Sequence, residues 1–431
     1  MPREPAAGDR DHGRVAVASA VPRILAVAES LPHPTLKGGD HRTWQNINAL
    51  AAFGRVGVFG LCSNDRRRDS VPDLHLEFWT TSVDPALSMP PPHGVKLQGR
   101  AWLLDSAGHP SDLYYSELAA GELSRLAANF RPDVVIVEGL WLHRYLDVLR
   151  TPGCRVILDC HNVEAQMSRE LASTLRGADL ESRVRRDVLP ARTEAIERRA
   201  VGAADEVWVC SAEDKRLMRE LYSPSAAVRV VPNGIRLTDY DPIHVARDGR
   251  SEENELTLVF PGFFGHAPNV NAARFLISEI FPRLVQASAA SRLLLVGALP
   301  PPELRAAAQH DDRITVTGAV PDMKPWLAQA TAVAVPLFQG SGTRLKIIEA
   351  LAAGVPVIST AKGAEGLGVR DKVHLLIAET ADEFVRAALT VWRDAGLRGR
   401  LVAGGRALVA EQFSWGAIGG RIRHAIMGEP S

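Results

Sequence analysis

Cysteine is scarce in this sequence: there are four in 431 residues, at positions 62, 154, 160 and 210. They form no CxxC pair and no disulfide-dense pattern, which excludes a disulfide scaffold and favours reduced thiols acting as small apolar filler over a zinc or redox site. Long hydrophobic runs are missing too. No stretch reaches the eighteen or so uncharged apolar residues that a membrane span requires. Net charge is the third absence: 50 Lys+Arg stand against 50 Asp+Glu. No global field draws such a chain onto nucleic acid or an anionic bilayer, so nucleic acid is not expected as a partner and any attraction of that kind is local. Residues 1–20 carry Arg3, Asp9, Arg10, Asp11 and Arg14, and their apolar run VAVASAV is short. They read as a polar, disordered leader rather than a signal peptide, and the protein is expected in the cytoplasm.

What is present is an ordinary globular composition, 46% hydrophobic and 23% charged, which excludes disordered and fibrous classes. A single core stops growing at roughly 250–300 residues, so a chain of this length is expected to form two domains. Short apolar runs alternate with helical patterns throughout. RILAVAES (23–30), RVGVFGLC (55–62), PDVVIVEG (132–139), RVILDC (155–160) and EVWVCS (206–211) read as one series of buried strands. LTLVFPGF (256–263), RLLLVGA (292–298), RITVTGA (313–319), AVAVPLF (332–338), VPVIST (355–360) and HLLIAE (374–379) read as a second. Helix-like segments lie between them, such as 269–289 and 342–353. Near-continuous apolar strands alternating with helices imply parallel sheets covered on both faces. The fold expected is α/β, with two doubly wound, Rossmann-like domains facing a cleft. Val231-Pro232-Asn233-Gly234 and the polar stretch 237–254 mark the junction. The expected domains are 21–231 and 232–413, with a terminal helix over 414–431 that packs back on the first domain.

Ligands of open parallel sheets bind beyond the carboxyl ends of the strands. The stretch QGSGTRLKIIEALAAGVPV (339–357) lies at such an end. A strand is expected to finish at Phe338 and a helix to begin near Ser341, with Leu345, Ile348 and Ala352 forming its buried stripe. Thr343, Lys346 and Glu349 share another face. A glycine-rich turn opening a helix offers free N–H groups and a positive dipole end, a natural seat for phosphate. Ser341, Gly342 and Thr343 lie in that turn, Arg344 and Lys346 add cations, and Glu349 is suited to ribose hydroxyls. Read alone, the same residues also fit an ordinary amphipathic helix with solvated charges.

This stretch, with GAEGL (363–367), resembles the donor site of retaining glycosyltransferases of the GT-B fold, family 4, in the GSGTRLK variant. VFPGFFGHAPNVNAARFL, LLLVG, TGAVPDMKPWLAQA, VVPNGI and FSW extend the resemblance over most of the second half. Gly38-Gly39 and DCHNVE carry it, more loosely, into the first. The resemblance implies a cytoplasmic, hexosyltransferase-type enzyme that moves a sugar from a nucleotide diphosphate donor to an acceptor, without a cofactor or metal. The acceptor would be a sugar, a lipid-linked sugar or a small molecule. In such enzymes a Glu-x7-Glu pair flanks the donor; Glu349 takes the second position and Ser341 stands at the first, a departure. The loop Phe263-Phe264-Gly265-His266 lacks the Arg and Lys that many members use on the diphosphate, and Arg344 and Lys346 are the substitutes. Gly38 and Gly39 would lie near donor phosphates and acceptor, His161 near the transferred sugar, Glu164 beside it, and Glu365 near sugar hydroxyls.

Several features stay double-valued at this level. Gly262 and Gly265 either approach phosphate or make a turn; Asp322 either nears the base or caps the following helix. Asp9-Arg10-Asp11 and Asp239-Tyr240-Asp241 have D-x-D spacing but follow no strand, and read as surface acids. Arg183, Arg185, Arg186, Arg192, Arg198 and Arg199 could touch the inner face of a membrane, although Asp187, Glu194 and Glu197 interrupt them and favour a solvated face. An epimerase of the same fold and a non-catalytic subunit that binds nucleotide sugar are the rival functions.

Overall fold

A computed structural model describes residues 21–32, 38–62, 73–87, 108–175, 177–247, 255–340 and 343–428. The first sheet holds β1 (Arg23–Ala28), β2 (Arg55–Cys62), β3 (Phe78–Val83), β4 (Val134–Glu138), β5 (Arg155–Asp159), β6 (Glu206–Val209) and β7 (Ala227–Val230). Their order is β3-β2-β1-β4-β5-β6-β7, parallel throughout. The second sheet holds β8 (Leu256–Pro261), β9 (Ser291–Val296), β10 (Ile314–Val316), β11 (Ala332–Val335), β12 (Val357–Ser359) and β13 (Leu376–Ile377), in the order β10-β9-β8-β11-β12-β13. Branched aliphatic side chains fill both faces of the central strands, and helices cover them, as parallel sheets require. The order in which successive strands are added reverses between β1 and β4 in one sheet and between β8 and β11 in the other. Ligand crevices open at such switch points.

Two strands were not expected from the sequence, β3 (FWTTSV) and β7 (AVRV). Both are edge strands, with one flank unpaired and fewer fully buried residues. AVAVPLF is strand only to Val335, and the donor-loop helix spans Leu345–Ala352 rather than beginning near Ser341. The correction has a local cause. Gly340 lies at φ +103, Arg344 is not helical, and the Leu345 N–H donates to the Thr343 carbonyl at 3.0 Å, so a tight turn precedes the helix. Ser341 and Gly342 lie outside the described residues.

The chain crosses between the sheets twice, side by side. The Ile235 N–H donates to the Phe413 carbonyl, and the Trp415 N–H to the Ile235 carbonyl, each at 2.9 Å. Gly234 is required at this crossing, because a Cβ there would sit 2.2 Å from the Phe413 carbonyl oxygen. After the second crossing, Ile418, Ile422 and Ala425 of helix Trp415–Met427 pack with Ile24, Ile47 and Leu50 of the first domain.

In the first domain, His109 and His143 are buried and bridged by Ser111, whose hydroxyl lies 2.8 Å from His109 Nδ1 and 3.1 Å from His143 Nε2. Burial, followed for His109 by the His143 charge and for His143 by Arg199, pushes each down to about 4. The unfolded chain binds more protons between that value and the ordinary 6.5 or so, so stability is full above pH 6.5 and declines as pH falls toward 4. Urea midpoints measured from pH 7.5 to 4.5 should fall steeply below 6.5, and less so in His143→Asn.

Candidate active site

The carboxyl ends of both sheets carry polar residues on otherwise apolar strands. In the second domain, helix Leu345–Ala352 brings Lys346 and Glu349 to one face. Glu349 accepts a hydrogen bond from the Tyr240 hydroxyl at 2.8 Å. Burial pushes the Glu349 carboxyl up, opposed by the Tyr240 hydrogen bond and the Lys346 charge. Lys346 donates to Asn269 Oδ1 at 2.7 Å and lies 4.3 Å from the centroid of the Phe260 ring. Burial and the Arg344 charge bring its ammonium down to about 7. Arg344 donates to the Gly340 carbonyl at 2.6 Å; burial weakens its hold on its proton, and Glu365, Glu170 and Asp214 oppose that. His266, held below its usual range first by burial and then by Lys346 and Arg344, completes a concentration of basic groups. Three basic side chains pressed together and partly desolvated repel one another, an arrangement that favours an incoming anion.

The other residues expected here are placed as follows. Thr343 lies against the thiol of Cys210 from the first domain. Gly262 donates its N–H to the Val296 carbonyl at 2.9 Å, so that donor is committed to the sheet. Asp322 Oδ1 accepts the Lys324 N–H at 2.9 Å, the local turn role, while its charge acts on Glu349 from nearby. Glu365 pairs with Lys362 at 2.6 Å.

In the first domain, Gly38 and Gly39 open helix Gly38–Ala51. The next turns of that helix deliver Arg42, Thr43 and Asn46 to the ends of β4 and β5, where register sets Glu138 beside Asp159. Arg42 is buried and forks onto both Asp159 oxygens, with Nε to Oδ2 at 2.7 Å. Its Nη1 also donates to the Val231 carbonyl at 2.7 Å and to Asn233 Oδ1 at 2.8 Å, tying the sheet end to the junction. His161 Nε2 lies 3.6 Å from Glu138 and 3.7 Å from Asp159. Burial depresses the imidazole, yet the adjacent Glu138 and Asp159 carboxylates outweigh it and hold the ring above its ordinary range. Desolvation followed by the Asp159 charge pushes Glu138 up, whereas the Arg42 charge keeps Asp159 low. Glu164 is buried nearby, accepts from Asn162 at 3.1 Å, and is raised to about 7 by burial. Glu138, Asp159 and His161 bring ligand-type atoms within 4.8 Å of one another. Both Asp159 oxygens already accept from the Arg42 guanidinium. Arg42→Met should cost about 3–5 kcal/mol by leaving Asp159 buried and unpaired, measured by urea denaturation at pH 7.5.

Arg42, Glu138, Asp159, Tyr240, His266 and Asn269 were not singled out from the sequence. One signal was available: Glu138 and Asp159 each close an apolar strand, where a carboxylate has no packing reason to be. The arginine-rich segment is largely neutralised in place. Arg185 pairs with Glu181, Arg186 with Asp187, Arg198 with Glu194 and Arg199 with Asp147. No helix among the described residues is long and apolar enough to cross a membrane.

Two facing parallel-sheet domains, each with its polar residues at the strand ends, define the GT-B architecture. Comparison with known proteins agrees. Residues 37–234 match the family model described as glycosyl transferase 4-like domain, and residues 255–394 the one described as glycosyl transferases group 1. Between them these take in most of the chain, which belongs to the glycosyltransferases of GT-B fold. Among solved structures, sucrose-phosphate synthase from Thermosynechococcus elongatus is similar at 18% identity and a TM-score of 0.70, covering 95% of this chain and 100% of that one. Anabaena HepE in complex with UDP and glucose aligns at 14% identity and a TM-score of 0.63, covering 94% and 99%. Trehalose 6-phosphate synthase from Burkholderia multivorans aligns at 12% identity and a TM-score of 0.63, covering 95% and 100%. At these identities the likeness concerns the fold. No curated protein matches the sequence.

Proposed function

We propose that this glycosyltransferase takes its sugar from a nucleotide diphosphate donor bound by the second domain and transfers it, with retention of anomeric configuration and without a metal ion, to an acceptor hydroxyl bound by the first. The observation that carries the reading is the grouping of Arg344, Lys346 and His266 within one electrostatic neighbourhood, with Glu349 one helical turn beyond Lys346. The HepE structure holding UDP and glucose lends support as a fold relative.

The chemistry follows from charge. As the glycosidic bond to the donor breaks, positive charge grows on the anomeric carbon and negative charge on the leaving diphosphate. Arg344 and Lys346 are partly desolvated, and so act on that negative charge with little screening. Glu349 has one oxygen engaged by Tyr240 and the other available to a ribose hydroxyl. His161 sits at the end of the first sheet, its ring oriented by the Glu138–Asp159 pair, and is the candidate contact to the transferred sugar. No carboxylate in this account acts as a covalent nucleophile; the departing diphosphate takes the acceptor's proton. The acceptor is a sugar, a lipid-linked sugar or a small metabolite.

The test is incubation with a panel of UDP-, GDP- and ADP-sugars in excess EDTA, following released nucleoside diphosphate and the anomer of the product by NMR. Release of diphosphate with a retained anomer is expected. Activity lost in EDTA and restored by manganese or magnesium would remove the metal-free reading, and an inverted product would remove retention.

A further inference from the structure

Helix Glu164–Thr174 belongs to the first domain, yet its Glu170 reaches the donor loop of the second. Glu170 Oε2 accepts the N–H of Gly340 at 2.9 Å. Its other oxygen lies 3.5 Å from Lys362 Nζ and accepts from Gln166 at 3.1 Å. Gly340 is therefore held at both of its backbone polar groups, since its carbonyl accepts from Arg344 at 2.6 Å. Glu170 also acts electrostatically on Arg344 itself. A cavity of about 150 Å³ opens beside these groups, lined in part by Glu170, Asp214, Lys362 and Glu365.

A glycine N–H in a left-handed turn, with a lysine and an arginine beside it, is the equipment of an anion seat. The anion that meets it here is a carboxylate of the opposite domain. A tie that only joined the domains could use any pair of surface groups. This one uses the groups a phosphate would need.

We propose that Glu170 is a donor-site residue supplied by the first domain, whose carboxylate competes with the donor's diphosphate for the seat formed by Gly340 and Lys362. The proposal rests on the donor site argued above. Donor entry then requires the Glu170 contact to break, so the same step that fills the site releases one tie between the domains. Like charge makes the exchange obligatory: a carboxylate within hydrogen-bond reach of that N–H and a diphosphate cannot share it.

The experiment is calorimetric titration of UDP, GDP and ADP, with the matching nucleosides as controls, into the full-length protein, Glu170→Gln and Glu170→Ala. Removing the competing charge should tighten the preferred diphosphate by about tenfold in Glu170→Ala and by less in Glu170→Gln, which keeps an acceptor oxygen. The nucleoside, which carries no phosphate, should bind all three proteins alike. Diphosphate binding that is unchanged or weaker in both variants overturns the competition and leaves the donor site standing. Absence of diphosphate binding to all three overturns the donor site, and the competition with it. Glu170→Gln preserves side-chain volume, so the comparison survives if the alanine variant folds poorly.

Discussion

Lys346→Ala is expected to lower turnover about 100- to 1,000-fold, the cost of removing one preorganised group that opposes developing negative charge. Donor affinity should fall much less, because the charge on the diphosphate grows as the bond breaks and the lysine's contribution is larger in the transition state. Arg344→Ala should behave in the same way, although its release of the Gly340 carbonyl adds a loss of loop geometry. The two are coupled: the Arg344 charge depresses the hold of Lys346 on its proton, so removing Arg344 leaves the lysine more fully charged and the double variant should lose more than the product of the single effects. A pH signature accompanies this. With the Lys346 ammonium brought down to about 7, a diphosphate that needs the charged form must draw in a proton above that pH. Donor affinity should be flat below pH 7 and weaken above it, and calorimetry in buffers of different ionisation enthalpy should register proton uptake at pH 8. If the charges are instead solvated helix decoration, all of these variants will keep wild-type kinetics.

Glu349→Gln is the second large effect. The side chain keeps its shape, but charge-assisted hydrogen bonds of about 1.5–3 kcal/mol become neutral ones, so donor affinity should drop about 10- to 100-fold with turnover at saturation largely kept. Its neighbours make the test specific. Tyr240→Phe removes only the hydroxyl that donates to Glu349 at 2.8 Å, and should produce a smaller loss of the same kind. Glu349 also supports the Lys346 ammonium electrostatically, so Glu349→Gln should move the break in the affinity–pH profile to lower pH. Unchanged melting temperatures would assign these losses to the site; wild-type affinity in both variants would remove Glu349 from it.

Particular residues show how much of this could be read without coordinates. The central strands were legible because burial on both faces forces unbroken apolar runs such as VVIVE and LLLV, and the junction was legible because Pro232 and Asn233-Gly234 cannot continue a strand. The edge strands β3 and β7 were not, since an unpaired flank relaxes the demand for apolar residues. The local pair Lys346 and Glu349 was legible because helical spacing puts residues three apart on one face. Its true start was not: whether a glycine turn runs straight into helix or first closes on Thr343 depends on what holds Gly340, and that partner is 170 residues away.

The amino-acid pattern by itself therefore determined the class of fold, the division into two sheets and the loop that carries the basic residues. All of these are set by the periodicity of near neighbours and the cost of burying polar backbone. Tertiary structure alone decided which distant groups meet. It set Arg42 on Asp159 across 117 positions, held His161 between two buried carboxylates, and brought Glu170 of one domain to the glycine turn of the other. The physical reason is that a hydrogen bond or a charge acts over a few ångströms of space and leaves no trace in the spacing of the residues that share it.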